Sequence, residues 1–226
     1  MIEGHHGAAS QVTTYTKAEM VVDGVIHILG LVFALCGGIM LMLLASRSAN
    51  WSTIAGVAVY ATSLLVALGF SAAYNMWPVS RVKWLLRRCD QAAIFLLIGG
   101  TYTAFLAWET NDLLSQFVRA VVWTGAAVGL VLKLVMPGRF ERVSIVAYLT
   151  LGWCGLILLP RAMHVLPLTS TCLIALGGVL YSAGVIFHLW ERLRFQNAIW
   201  HAFVLFAATC HYGAIFISLA ARFTTN

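Results

Sequence analysis

Residues 197–221 read NAIWHAFVLFAATCHYGAIFISLAA, and no Asp, Glu, Lys or Arg interrupts them from Asn197 to Ala221. At 1.5 Å of rise per residue, about 20 apolar residues cross a bilayer core, so this stretch is long enough to span one. Six further stretches of the same kind precede it, from Val21 to Ala45, Thr53 to Trp77, Cys89 to Trp108, Gln116 to Val135, Val143 to Pro160 and Leu168 to Trp190. The chain is 61% hydrophobic and 10% charged, a balance that a soluble domain of 226 residues does not tolerate. Short connections leave no room for a separate soluble domain. The sequence therefore predicts an all-α, polytopic membrane protein, a single bundle of seven transmembrane helices over residues 19–222. A polar N-terminal tail (1–18) and a short C-terminal tail (223–226) flank it.

Charge placement predicts orientation. If the spans alternate, Lys17, the basic run Arg81 to Arg88, Lys133, Arg139, Arg142, Arg192 and Arg194 share one side of the membrane. Arg47, Arg119, Arg161 and Arg222 lie on the other, which accounts for all 14 basic residues. The positive-inside rule then predicts a cytoplasmic N-terminus and a multi-pass protein of the cell inner membrane. The net charge of +6 reads as an anchor to the inner leaflet, not as a nucleic-acid surface, so membrane lipid is the expected partner. The N-terminal residues lack the pattern of a secretory signal, and His5-His6 read as a solvated tail. Cys36, Cys89, Cys154, Cys172 and Cys210 are scattered, without a CxxC pair, and read as packing residues.

Polar residues inside membrane spans are costly, so their depth is informative. Alternating spans bring Glu19, Asp23 and His27 of the first, Ser71, Tyr74 and Asn75 of the second, Asp90 and Gln91 of the third, and Asn197 and His201 of the seventh to one depth. Ser71/Asn75 and Asn197/His201 are i, i+4 pairs and share a helix face. Structural readings stand beside this one. Asp23 and His27 fit a simple hydrogen-bonded pair, Asp90 an N-cap of the third span paired to Arg87 or Arg88, and Ser71 a bond to its own backbone. Lys133 fits a snorkelling residue, and His164 (in an outer loop) and His188 fit the interface. His211 lies about 15 Å deeper than His201 by helical rise and reads as a buried hydrogen-bonding residue. Gly125-x-x-x-Gly129, Gly37-Gly38, Gly99-Gly100 and Gly177-Gly178 read as close-packing points. Thr101-Tyr102-Thr103 fits either packing or a cavity wall.

At these residues the chain resembles the hemolysin-III branch of the progestin and adipoQ receptor (PAQR) family, over nearly its whole length. The resemblance rests on Glu19 with His27, Ser71-Ala72-Ala73-Tyr74-Asn75, the run Arg88 to Phe95, and Gly100-Thr101-Tyr102-Thr103. It continues through Gly152-Trp153, the run Gly177 to Tyr181, the run Ala198 to Val204, and His211. It implies kinship with zinc-dependent membrane hydrolases and receptors related to alkaline ceramidases. It also implies a zinc ion near the cytoplasmic face, held by three histidines, with a serine and an aspartate beside the metal-bound water. Carried over, the serine is Ser71 and the aspartate Asp90, while the histidine positions fall on Asn75, Asn197 and His201. Two of the three are therefore asparagine here. Gln91 replaces the histidine that commonly follows the aspartate, and Ala104 the proline that commonly follows Thr103.

Zinc favours imidazole and thiolate, and a neutral amide is a poor substitute. His201 and Asp90 remain as ligands, with His27 completing the set if the first span leans inward. Asn75 and Asn197 could hold a water or a harder cation, and Tyr74 could hydrogen-bond a water. The resemblance thus leads to a protein of membrane lipid homeostasis or sensing, with a degraded metal site. An alternative is a zinc-dependent hydrolase of a lipid amide or ester, with Asp90 as general base, Ser71 holding the water or oxyanion, and His201 on the metal. A second alternative is a pore-forming cytolysin, which needs polar residues along the full thickness of the bundle. A proton-coupled transporter is a weaker variant, since no internal repeat is visible.

Overall fold

The computed structural model describes residues 16–48, 50–108, 112–136 and 138–224, and all regular structure among them is helical. The elements are α1 (Lys17–Ala45), α2 (Trp51–Met76), α3 (Arg81–Leu106), α4 (Leu113–Val135), α5 (Glu141–Trp153), α6 (Leu159–Val165), α7 (Leu168–Leu189) and α8 (Gln196–Thr224). A 3₁₀ turn, Cys154–Leu158, joins α5 to α6, and the three together make one span. Among the described residues, seven segments are long and apolar enough to cross a membrane. The tail that contains His5-His6 lies outside the described residues.

Local chemistry sets the helix starts. Thr16 and Glu19 form a capping box at α1: the Thr16 side chain accepts from Glu19 N at 3.3 Å, and Glu19 accepts from Thr16 N at 2.8 Å. Asn50, Ser80 and Asp112 cap α2, α3 and α4 through side-chain oxygens. The Ser80 cap corrects the expected start of the third span. The basic run Arg81 to Arg88 is helical, so Asp90 sits in the third turn and is not an N-cap. Arg87 pairs with Glu141 at the start of α5. The fifth span also continues past Pro160, because that proline falls in the first turn of α6, where its missing N–H costs nothing. His164 is therefore in a helix, not a loop, though it is exposed.

The buried side of α1 is a single stripe of Asp23, His27, Gly30, Ala34, Gly38, Leu41 and Ala45, spaced by three or four residues. It faces α2 and α8, while α2 packs on α3, α3 on α4, and α7 on α8. Leu41, Val57, Tyr60, Leu64, Ala93, Leu97, Ala208, Ile215 and Leu219 form the main core between these helices. Close approaches occur at the small residues: a Cβ at Gly129 would lie 2.2 Å from the Phe95 ring, and one at Gly177 2.4 Å from His211. The outside carries large apolar side chains such as Ile28, Leu43, Phe117, Val146 and Ile186, all well exposed. That pattern suits hydrocarbon and not water.

α5 packs only lightly on α3, α4 and α7. The space left there is a cavity of 1710 Å³ that runs along most of the bundle. Lys133 lines it and is 3% exposed, so its side chain turns into the bundle instead of snorkelling outward. Tyr102 braces the break between α5 and the 3₁₀ turn. Its hydroxyl meets the carbonyls of Leu151 (3.0 Å) and Gly152 (2.9 Å) and accepts from Gly155 N at 2.5 Å. Thr101 bonds back to Leu97 O, while Thr103 accepts from Trp123 Nε1 at 3.0 Å. The Thr-Tyr-Thr run is thus packing and cavity wall at once.

Candidate polar site at one end of the bundle

Side chains from α1, α2, α3 and α8 meet at the end of the bundle where α1 begins. Within α2, Asn75 Nδ2 donates to the Ser71 carbonyl one turn earlier at 2.9 Å. A carbonyl only accepts, so this bond fixes the amide and turns Oδ1 outward. Asn197 Nδ2, at the start of α8, donates to that Oδ1 at 2.9 Å and to Asp23 Oδ2 at 3.2 Å. One turn on, His201 Nδ1 lies 2.6 Å from Asp23 Oδ1. With Asp23 ionised, Nδ1 carries the proton. His27 packs ring to ring with His201, centroids 4.4 Å apart, and its Nε2 is 3.5 Å from Asp23 Oδ2. That separation is too long for a good hydrogen bond, and the atom is buried without a partner.

Flanking contacts hold the ends of these helices. Glu19 Oε1 accepts from Phe195 N at 3.0 Å and ties the turn before α8 to α1. Phe195 has φ 60°, in the left-handed region, as does Phe140 with φ 61°. Lys83 Nζ donates to the Trp77 carbonyl at 2.8 Å beyond the end of α2 and lies over the Tyr74 ring.

Ser71 and Asp90 face one another on the adjoining wall. Both line the large cavity, together with Asn75, Asn197, His27 and His201. Away from this end the wall carries Ile94, Leu97, Ile174, Val185 and Val204, interrupted by Thr101, Tyr181, Ser182 and His211, and its far part is lined by buried Leu106, Leu158 and Leu166. His211 lies deeper, with Nε2 3.3 Å from the Ile174 carbonyl; it is a hydrogen-bonding residue, but half-buried on the cavity wall where full burial was expected.

Asn75, Asn197, His201 and His27 are therefore brought together, and Asp90 with Ser71 stands beside them. The residue that sequence reasoning undervalued is Asp23. It accepts from Asn197 and His201, and its oxygens lie closer to His201 than those of any other acid. Its i, i+4 spacing from His27 and its depth were visible, but they fit a local pair equally well. Among the described residues, the cluster of metal-competent side chains is Asp23, His27 and His201, with ligand atoms all within 4.8 Å of one another, and Asp90 is not in it.

A three-histidine zinc does not fit positions 75, 197 and 201. Asn197 presents amide nitrogen, which has no lone pair for a metal, and Asn75 Oδ1 is already bonded to it. Only His201 offers a firm ligand there.

The sequence is similar to those of known proteins. The family described as haemolysin-III related matches residues 15–212. Hemolysin-3 of Bacillus cereus is 33% identical over 196 residues, 87% of this chain and 89% of that protein. The Hemolysin-3 homolog of Bacillus subtilis (strain 168) is 30% identical over 191 residues, 84% of this chain and 90% of that protein. The monocyte to macrophage differentiation factor of Homo sapiens is 29% identical over 135 residues, 59% of this chain and 56% of that protein. No solved structure matches. The family match takes in all but the end of α8 and includes each residue of the polar cluster. With seven segments able to span a membrane among its described residues, this multi-pass membrane protein belongs to the haemolysin-III related family.

Proposed function

We propose that this protein binds a membrane lipid inside its bundle and acts in lipid sensing or homeostasis, without a three-histidine zinc. The observation that carries this reading is the 1710 Å³ cavity, mainly apolar along its length and richest in polar groups at one end. An acyl chain suits the wall of Ile94, Leu97, Ile174, Val185 and Val204, and a hydrogen-bonding headgroup suits Ser71, Asp90 and Asn75. The amide bridge from α2 to α8 braces the polar end with neutral groups.

The distribution of basic residues supports a cytoplasmic N-terminus in the cell inner membrane, which puts the polar end at the inner leaflet. Reporter fusions at the two ends test this: an active periplasmic reporter at the N-terminus would overturn it. For the lipid itself, the test is mass spectrometry of lipids co-purified with the protein after detergent exchange. About one enriched lipid species per chain supports the reading. A lipid profile identical to that of the surrounding membrane contradicts it.

A second reading, hydrolysis of a lipid amide or ester, is favoured by one observation, the Ser71–Asp90 pair on the wall of the same cavity. In it Asp90 takes a proton from water and Ser71 holds the water or the oxyanion. Hydrolysis that survives Asp90→Asn would remove this reading. A conducting pore is less well supported, because the far end of the cavity is lined by buried leucines.

A further inference from the structure

We propose that Asp23, His27 and His201 form a divalent-cation site of two imidazoles and one carboxylate, moved onto α1 from the positions of Asn75 and Asn197. This inference is independent of whether the cavity holds a lipid.

Three observations carry it. First, the ligand atoms of these three residues lie within 4.8 Å of one another, and each residue is at most 8% exposed. Second, His27 Nε2 is buried and has no hydrogen-bond partner, although it is 3.5 Å from Asp23 Oδ2. A bare imidazole nitrogen in a low-dielectric interior is costly, and a cation bound between it and Asp23 would satisfy it. Third, an outer shell is already in place. Asn75 is fixed by the Ser71 carbonyl, Asn197 donates to Asn75, and Asn197 also donates to Asp23 Oδ2 at 3.2 Å. Hydrogen bonds of this kind orient ligating carboxylates in metal sites.

The two asparagines then have a different meaning. In place of ligands they are the support that aims Asp23 at the two histidines. Binding through His201 Nδ1 uses the neutral tautomer in which the ring proton has moved from Nδ1 to Nε2, so that the metal takes the freed lone pair while Asp23 exchanges its hydrogen bond for a metal bond. Two imidazoles with one carboxylate suit zinc, iron(II) or manganese(II) better than calcium or magnesium, which prefer all-oxygen sets. Access exists from both sides. His27 and His201 line the large cavity, and Asp23 lines a smaller one of 350 Å³ that also holds Glu19, Lys83 and Asn197.

The test is titration of chelator-treated, untagged full-length protein with cobalt(II), read by visible absorption, with zinc(II) as competitor. The proposal predicts about one ion per chain, displaced by zinc. His27→Ala should weaken binding by about 10-fold or more, and His164→Gln should leave it unchanged. No binding, or a titration that His27→Ala leaves intact, overturns the proposal. If His27→Ala does not fold, pulsed electron paramagnetic resonance of copper(II)-loaded wild type counts the coupled imidazoles instead. Two support the site, and one or none refutes it.

Discussion

Asn197 Nδ2 donates to Asn75 Oδ1 at 2.9 Å, so two amides at positions where the family resemblance leads one to expect histidines are bonded to each other. The bond joins the last helix to the second, far apart in sequence, at the end of the bundle where α2 finishes and α8 begins. It also leaves Asn197 able to reach Asp23.

Removing that bond should be measurable. A double-mutant cycle of Asn75→Ala and Asn197→Ala, read by chemical unfolding in detergent, should give a coupling of about 0.6 kcal/mol, the usual size for such bonds between membrane helices. A coupling of zero would mean that the two amides do not act together.

Gly177 and Gly69 should respond oppositely to alanine. At Gly177 a new Cβ meets His211 at 2.4 Å and the Ala207 carbonyl at 3.2 Å, so Gly177→Ala forces α7 from α8 and should destabilise by about 1–3 kcal/mol. At Gly69 nothing lies within 4 Å, and Gly69→Ala should be neutral or stabilise α2 by up to about 1 kcal/mol. Thermal unfolding of the two variants side by side checks the pair.

Tyr102→Phe removes the hydroxyl that serves Leu151 O, Gly152 O and Gly155 N where the fifth span changes from α to 3₁₀. Leaving those groups unpaired should cost about 1–3 kcal/mol. Hydrogen exchange should rise at Gly155 and its neighbours while α1 and α2 stay protected. Uniform exchange across the chain would contradict a local role.

Asp112 stands outside the spans, ahead of α4. The backbone N–H of Ser115 first, then Arg161 of α6, hold its carboxyl at about 2, below its ordinary 3.8. A depressed folded pKa means stability that is present above the unfolded value and is lost as pH falls through the folded one. The melting temperature should therefore drop between about pH 4 and about pH 2, and Asp112→Asn should flatten that step. An unchanged acid profile in the variant would show that other carboxylates govern it.

The seven spans were legible because length and apolarity alone decide them, and Val21 to Ala45 and Leu168 to Trp190 differ from α1 and α7 only at the ends. The start of α3 was not, because Arg81 to Arg88 reads as a loop until Ser80 is recognised as a cap. Lys133 was misplaced because the positive-inside count treats a lysine at a span end as interfacial, whereas the gap beside α5 gives it room inside. At the polar end, depth could be read from the order of spans, so Asn75, Asn197, His201 and His27 were found together. Which acid faces His201 depends on how far each helix is rotated. Asp23 and Asp90 lie at similar depth, and only packing of the α1 stripe against α8 separates them.

The central claim is that a lipid occupies the bundle, and photo-crosslinking with a diazirine-bearing acyl lipid tests it most directly. The account predicts adducts on cavity residues such as Leu97, Ile174 and Val185, lost when an excess of the native lipid competes. Adducts confined to the outer surface, at residues such as Ile28, Leu43 and Phe117, would contradict it.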